Sequence, residues 1–187
     1  MFEFHNQRAN EILKQSELIH DAQAVQAAVG RVAAQVNQRF GQSGSTDFPL
    51  VLGVMGGGVV FTGQLLPQLN FPLEYDYIHV TRYGEDDTGG KVQWKVVPRQ
   101  NVKGRVVIVL DDILDEGETL AQVKQRLLDM GAAEVVLVVF ADKATGRKKA
   151  ASADYTGLSV PDKFVIGFGM DVHGYWRNLP EIRAVKL

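Results

Sequence analysis

The sequence predicts an α/β fold with a parallel-sheet core flanked by helices. Continuous apolar runs at residues 50 to 54 (LVLGV), 105 to 110 (RVVIVL) and 134 to 140 (EVVLVVF) are typical of strands buried on both faces. Segments in which apolar residues recur at helical spacing separate these runs. Because parallel strands need a crossover connection, usually a helix, this alternation indicates a parallel sheet covered on both faces.

Helices are expected at residues 21 to 40, 59 to 69 and 119 to 130. Asp21 can cap the first of them, and Gly131 ends the last. The apolar residues of the first and last helices each fall on one face: Val25, Ala28, Val29, Val32 and Val36, then Leu120, Val123, Leu127 and Met130.

A strand, a loop and a returning strand are expected between the second and third helices. Residues 73 to 80 (LEYDYIHV) alternate as a strand does, and residues 92 to 97 (VQWKVV) would return beside them. The polar, Gly-bearing stretch between them, TRYGEDDTGGK at residues 81 to 91, predicts a mobile loop. A GGG turn at 56 to 58 opens the second helix, and QSGSTD at 42 to 47 predicts a surface loop.

The composition limits the kinds of protein that this chain can be. A chain of 187 residues with 45% hydrophobic and 22% charged residues is the size and balance of one globular domain. The net charge of -2 gives no general attraction to nucleic acid or to an anionic membrane. The chain has no Cys, no basic-then-apolar N-terminal segment and no apolar run long enough to span a bilayer. We therefore expect a cytoplasmic protein without nucleic-acid or membrane partners.

Ligands of open parallel sheets bind beyond the carboxyl ends of the strands, so the segments after residues 54, 80, 110 and 140 should converge. Common motifs are missing from these segments. Gly84 to Lys91 has one residue too many for a P-loop, no GxGxxG follows a strand, and GQSGS lacks the spacing of a nucleophile elbow. The four isolated His residues do not have zinc-ligand spacing and are interpreted as surface or packing residues.

The acidic stretch VVIVLDDILDEGETL, residues 106 to 120, resembles the signature of the type I phosphoribosyltransferases. The resemblance implies that the phosphate loop, residues 115 to 119, wraps the 5-phosphate of phosphoribosyl pyrophosphate at a helix N-terminus. Gly117 would allow close approach, while Asp111 and Asp112 would face the ribose hydroxyls directly or through magnesium-bound water. The implied contacts in this stretch are Asp111, Asp112, Asp115, Glu116, Gly117, Glu118 and Thr119.

A second segment narrows the resemblance. PDKFVIGFGMDVHGYWRNLPEI, residues 161 to 182, is similar to the C-terminal segment of hypoxanthine-guanine phosphoribosyltransferases, and VFADK, VMGGGVVF and TRYG match in order. The resemblance implies that Phe164 stacks on the purine and that Val165 offers its backbone to the base edge. Lys143 would donate to the oxygen at purine C6, which favours hypoxanthine and guanine over adenine.

The remaining implied roles concern the leaving group and the proton. Asp171, with Asp111 and Asp112, would hold magnesium, and Arg177 would clamp pyrophosphate. The carboxylate of Asp115 would take the proton from purine N7 as general base. The loop at 81 to 91 would close as a lid, with Tyr83 among the substrate contacts.

This sequence departs from the family's pattern at several positions. Glu116 and Glu118 would oppose a nearby phosphate, so both are predicted to point outward. Gly56 stands where relatives often have Lys or Arg, and Arg82 where many have Ser. The resemblance makes Met55-Gly56 a candidate non-proline cis peptide, with Gly56 and Gly57 facing pyrophosphate; a simple Gly-rich turn remains open.

The resemblance therefore implies a Mg²⁺-dependent enzyme that makes IMP or GMP from phosphoribosyl pyrophosphate and a 6-oxopurine, assembled as a homodimer or homotetramer. The core would span about residues 45 to 150, with a hood from residues 1 to 20 and 151 to 187. Transfer to xanthine or a pyrimidine, and a non-catalytic nucleotide- or RNA-binding regulator, stay open. Asp142 is interpreted as structural and KATGRKK, residues 143 to 149, as a solvated loop.

Overall fold

A computed structural model describes residues 2–41, 48–82 and 92–186. The surface loop predicted at 42 to 47 and nearly all of the loop predicted at 81 to 91, including Tyr83, lie outside the described residues. The elements follow in the order α1 (Phe2–Gln15), β1 (Glu17–His20), α2 (Ala22–Phe40), β2 (Leu50–Met55), α3 (Val59–Leu65), β3 (Glu74–Arg82), β4 (Val92–Val96), β5 (Val106–Leu114), α4 (Glu118–Asp129), β6 (Glu134–Ala144), β7 (Tyr155–Pro161), β8 (Phe164–Ile166) and β9 (Ile182–Val185).

A six-stranded sheet in the order β4-β3-β2-β5-β6-β7 forms the centre of the fold. All neighbouring pairs are parallel except β3 and β4, so the returning strand runs antiparallel at the edge of the sheet. The predicted α/β fold with a parallel core is therefore confirmed.

Helices cover both faces of this sheet. On one face α2 and α3 bury their apolar side chains in a core cluster that includes Val29, Phe61 and Phe140. On the other face α4 packs Leu120, Val123 and Leu127 against β5 and β6. The predicted cap of α2 is present, since the Asp21 carboxylate accepts the Ala24 N–H at 2.8 Å.

Three predicted boundaries were wrong. The second helix ends at Leu65 and continues only as a 3₁₀ turn, Leu66–Gln68, because Pro67 has no N–H to donate and its ring clashes with the preceding helical turn. β5 runs to Leu114 and β6 to Ala144, through charged residues that were predicted to be loop. The two strands remain paired there, with Leu114 opposite Asp142, so each supplies the backbone partners of the other.

The two ends of the chain meet in a small antiparallel sheet in the order β1-β9-β8. A cluster of Ile166, Val172 and Val185 packs beneath it, and the Trp176 indole N–H donates to the Ala9 carbonyl at 2.8 Å. β7 lies in the central sheet, which therefore extends beyond residue 150. The division into core and hood stays a prediction. Among the described residues, we find no helix with the length and apolar character needed to cross a bilayer.

Candidate active site

Predicted site residues from β2, β5 and β6 lie at one edge of the central sheet. The five parallel strands all end there, and loops from their carboxyl ends are the usual ligand-binding segments of such sheets. Gly56 and Gly57 follow β2, Asp115 follows β5, and Lys143 is the penultimate residue of β6.

Asp111 and Asp112 form a largely buried acidic pair near the end of β5. The Asp111 carboxylate accepts the Asp112 N–H at 2.9 Å, and the Asp112 carboxylate accepts the Ile113 N–H at 2.8 Å. Burial, reinforced by the charge of Asp112, holds the pKa of Asp111 well above its usual range. Burial also raises the pKa of Asp112, although its hydrogen bond with Asp111 and the charge of Arg177 oppose that rise. Such a pair favours partners that donate hydrogen bonds or carry positive charge.

The phosphate loop connects this pair to α4. Gly117 adopts a left-handed conformation with φ of 81°, which costs glycine little, and α4 begins at the next residue. The loop thus leads into a helix N-terminus, which favours anions. Glu118 and Thr119 are half-buried in the first turn, whereas the Glu116 side chain is 42% exposed and its Oε1 lies 3.7 Å from Arg147 Nη1.

Lys143 and Asp115 are brought together. The Lys143 ammonium donates to Asp115 Oδ2, and the two side chains are 12% and 39% exposed, respectively. A cationic donor and a carboxylate acceptor therefore stand side by side, the first on β6 and the second at the start of the phosphate loop.

Close contacts at Gly57 join the loop after β2 to Asp112 of β5 and to Gly169 of the C-terminal segment. The Met55-Gly56 peptide, for which the resemblance left a cis bond and a simple turn open, is cis. A Cβ at Gly57 would lie 1.7 Å from Asp112 Oδ2, so the carboxylate fills the space beside this glycine. Gly169 has φ of 103° and lies so close that a Cβ would come 2.1 Å from the Gly57 carbonyl oxygen.

Arg177 and Asp171 form an ion pair in the same region. Arg177 Nη2 lies 2.6 Å from Asp171 Oδ1, and its Nη1 donates to the Gly169 carbonyl at 2.6 Å. The other Asp171 oxygen accepts the Gly174 N–H at 2.6 Å. The guanidinium thus links Asp171 to the segment that packs on Gly57, close enough to Asp112 to affect its pKa.

Phe164 and Val165, the predicted base contacts, lie in the small sheet. Both lie in β8, where Phe164 pairs with Val185 and Val165 with Ala184. Phe164 is 39% exposed, whereas Val165 is buried in the core. Phe164 therefore has a free aromatic surface, and Val165 has only its backbone to offer a ligand.

A comparison with family models decides the class of protein. The model described as "Phosphoribosyl transferase domain" matches residues 15–173. The chain belongs to the phosphoribosyltransferase family.

The relatives of this phosphoribosyltransferase carry consistent names. A hypoxanthine-guanine phosphoribosyltransferase of Lactococcus lactis is 37% identical over 74% of this chain and 75% of its own. A protein of the same name from Bacillus subtilis is 32% identical over 87% and 88%. The crystal structure of a hypoxanthine phosphoribosyltransferase from Staphylococcus aureus superposes with a TM-score of 0.82 at 26% identity, covering 91% of each chain.

The resemblance implies bound Mg²⁺, so the carboxylates of this phosphoribosyltransferase are compared with the ligands that Mg²⁺ prefers. Over residues 2–41, 48–82 and 92–186, no three His, Asp or Glu side chains form a ready-made metal cage. Mg²⁺ usually binds one or two carboxylates together with waters and substrate phosphates. Asp111, Asp112 and Asp171 supply oxygens of the preferred type, so the residues fit an ion that arrives with its substrate.

Two features of this phosphoribosyltransferase were missed by sequence reasoning. Gly169, which packs on Gly57, was passed over within the C-terminal motif, although a glycine there is the signal for close backbone approach. Lys149 was wrongly assigned to a solvated loop: it is half-buried and pairs with Asp142, the residue interpreted as structural. Arg147 and Lys148 are exposed, as expected.

Proposed function

We propose that this phosphoribosyltransferase transfers the phosphoribosyl group of phosphoribosyl pyrophosphate to hypoxanthine or guanine, releasing pyrophosphate and forming IMP or GMP in purine salvage. The observation that carries the proposal is the pairing of Lys143 with Asp115. Side by side, a donor and an acceptor complement the oxygen at C6 and the N–H at N7 of a 6-oxopurine.

Base selection follows from the Lys143 ammonium. An ammonium has three donors and no acceptor, so it can satisfy a C6 oxygen but would meet the donor N–H groups of an amine at C6. The Lys143 side chain is only 12% exposed, so water can replace a missing acceptor less well than at the surface. Leaving its ammonium without an acceptor would therefore cost more free energy than it would for a surface lysine. Phe164 would stack on the base, and the backbone of Val165 would contact the base edge.

The phosphate loop and the acidic pair would hold the sugar phosphate. The N–H groups of residues 115 to 119 and the Thr119 hydroxyl would bind the 5-phosphate, aided by the N-terminus of α4. Asp111 and Asp112 would accept hydrogen bonds from the ribose hydroxyls, and such donors offset the charge that burial disfavours. Glu116 would avoid the phosphate through its contact with Arg147.

The leaving pyrophosphate would be bound by the positive charges of Arg177 and Mg²⁺. Arg177, oriented by Asp171 and the Gly169 carbonyl, would bind its oxygens, as would the backbone of Gly56 and Gly57. Bound Mg²⁺, the ion that this family typically uses, would neutralise developing negative charge on pyrophosphate. Asp171, Asp111 and Asp112 would provide its protein ligands.

Positive charge develops on the ribose ring as pyrophosphate departs and the purine nitrogen attacks. The Asp115 carboxylate would then accept the proton from N7, which prevents charge from accumulating on the base. The ion pair between Asp115 and Lys143 would be replaced by a contact of each residue with the purine.

We also propose that the protein is a homodimer or a homotetramer. Analytical ultracentrifugation tests this oligomeric state.

A four-base assay tests the proposal. Purified protein is incubated with phosphoribosyl pyrophosphate and hypoxanthine, guanine, xanthine or adenine, with Mg²⁺ or with a chelator. We expect Mg²⁺-dependent nucleotide formation from hypoxanthine or guanine and about 5- to 140-fold less from adenine, since an unpaired buried donor costs about 1–3 kcal/mol. No turnover of any 6-oxopurine by folded protein would reject the proposed function, and turnover of xanthine alone would change the base.

A further inference from the structure

The segment Lys149–Ala151, between β6 and β7, lies against the rear of the phosphate loop through three separate contacts. The Lys149 ammonium donates to the Leu114 carbonyl at 2.7 Å. The Ala150 N–H donates to the Glu116 carbonyl at 2.9 Å. Gly117 packs on Ala151, since a Cβ at Gly117 would lie 2.7 Å from the Ala151 nitrogen.

The two carbonyls belong to peptide groups whose N–H sides are in the phosphate loop. The Leu114 carbonyl shares its peptide plane with the Asp115 N–H, and the Glu116 carbonyl shares its plane with the Gly117 N–H. In a trans peptide the C=O and N–H bonds point in opposite directions. A donor that holds each carbonyl on one side of the loop therefore directs the corresponding N–H toward the other side.

Burial and an ion pair fix the position of the Lys149 side chain. Its side chain is 15% exposed, and its ammonium also donates to Asp142 Oδ1, which supplies the opposite charge. Asp142 stands opposite Leu114 in the pairing of β5 with β6, so the ammonium ties the two strand ends together. The next residues in the chain after Leu114 and Asp142, which are Asp115 and Lys143, form their own pair.

We propose that Lys149 and Ala150 are positioning residues that aim the Asp115 and Gly117 N–H groups at the 5-phosphate. The charge of Lys149 also polarises the Leu114-Asp115 peptide, which makes its N–H a stronger donor to an anion. The inference rests on the proposed function for the phosphate itself. It assigns Lys149 a role that requires no contact with the substrate.

Binding of ribose 5-phosphate, followed by calorimetry, tests the proposal without requiring turnover. In Lys149→Met we expect the dissociation constant to rise about tenfold or more, as for a hydrogen bond from a charged donor. Lys149→Arg, which keeps two donors and the charge, should bind within about threefold of wild type, and so should the exposed neighbour Lys148→Met. Equal affinity in Lys149→Met and wild type would overturn the proposal.

A kinetic split separates positioning from general destabilisation. Lys149→Met should raise KM for phosphoribosyl pyrophosphate about tenfold while changing KM for hypoxanthine less than about twofold. An equal rise in both constants would overturn the proposal. If wild type binds ribose 5-phosphate but turns over no purine, the proposed function fails while the binding test still decides the role of Lys149.

Two further measurements do not depend on the folding of Lys149→Met. Ala150→Pro removes the N–H that donates to Glu116 and should weaken ribose 5-phosphate binding with Lys149 in place. In wild type, the NMR amide signals of Asp115 and Gly117 should shift when ribose 5-phosphate is added. Unchanged signals for both amides in a saturated complex would overturn the proposal regardless of any variant.

Discussion

The Lys143 ammonium donates a hydrogen bond to the carboxylate of Asp115, so the proposed base-selecting residue and the proposed general base are in direct contact. The pair joins the end of β6 to the start of the phosphate loop. On the proposed function, a 6-oxopurine would give each member a hydrogen-bond partner, the C6 oxygen for Lys143 and the N7 N–H for Asp115.

Replacing Lys143 by Gln tests base selection. The glutamine amide would lack the charge but could accept as well as donate, so the preference against an amine at C6 should weaken. We expect kcat/KM for hypoxanthine to fall about 10- to 100-fold, the usual cost of losing a hydrogen bond from a charged donor, with a smaller change for adenine. Steady-state kinetics with both bases measure the ratio, with Lys148→Gln as control. An unchanged ratio would remove Lys143 from base selection.

The acidic pair predicts a pH-dependent stability. Burial raises the pKa of both carboxyls, Asp111 the more strongly, so the folded state binds protons more tightly than the unfolded state. Raising the pH from the ordinary pKa through the raised values therefore lowers the free energy of unfolding. Asp111→Asn removes one such group.

Thermal unfolding midpoints measured from pH 4 to pH 8 without ligands check this. Asp111→Asn should lose less stability than wild type as the pH rises and should unfold at a higher temperature at neutral pH, while activity falls. Asp129→Asn, at an exposed carboxyl, is the control and should follow wild type. Parallel curves for wild type and Asp111→Asn would contradict the expectation.

Gly169→Ala should be damaging because the added Cβ would come 2.1 Å from the Gly57 carbonyl and because φ is 103°. The left-handed backbone alone costs a side-chain residue about 1–3 kcal/mol, and the clash would also move the segment that carries Arg177. Chemical denaturation should show the loss of stability, and KM for phosphoribosyl pyrophosphate should rise.

Gly63→Ala is the matched glycine control. It lies in α3, where an added Cβ would have no atom within 4 Å beyond its chain neighbours and its own helical backbone, so we expect a gain of about 0.5–1 kcal/mol. If both variants unfold alike, close packing of Gly169 on Gly57 does not hold in solution.

Asp171→Asn tests the metal role. A neutral amide is a weaker Mg²⁺ ligand than a carboxylate, so the Mg²⁺ concentration for half-maximal activity should increase several-fold. The same change frees Arg177 from its ion pair, so KM for phosphoribosyl pyrophosphate is measured at saturating Mg²⁺ to separate the two effects. A Mg²⁺ requirement equal to that of wild type and of Asp129→Asn would argue against Asp171 as a ligand.

The sheet and its covering helices could be predicted from the sequence because apolar runs and helical spacing report burial directly. The ends of β5 and β6 could not, because the charged residues Asp111 and Asp142 end the apolar runs although strand pairing continues. The motif predicted that residues 115 to 119 form a loop before a helix, and the structure has α4 beginning at Glu118. The contact of Lys149 with the Leu114 carbonyl, next to this loop, could not be predicted. The two residues are 35 positions apart in the chain, and no periodic pattern links them.

The most direct test of the account is the turnover number of Asp115→Asn with hypoxanthine and phosphoribosyl pyrophosphate. Asn keeps the shape and the backbone N–H but cannot take a proton, so kcat should fall about 10²- to 10⁴-fold, the usual contribution of general base catalysis. Ribose 5-phosphate binding should stay within about threefold of wild type, because the backbone N–H groups of the loop remain. A kcat within twofold of wild type would contradict Asp115 as the base and the mechanism built on it.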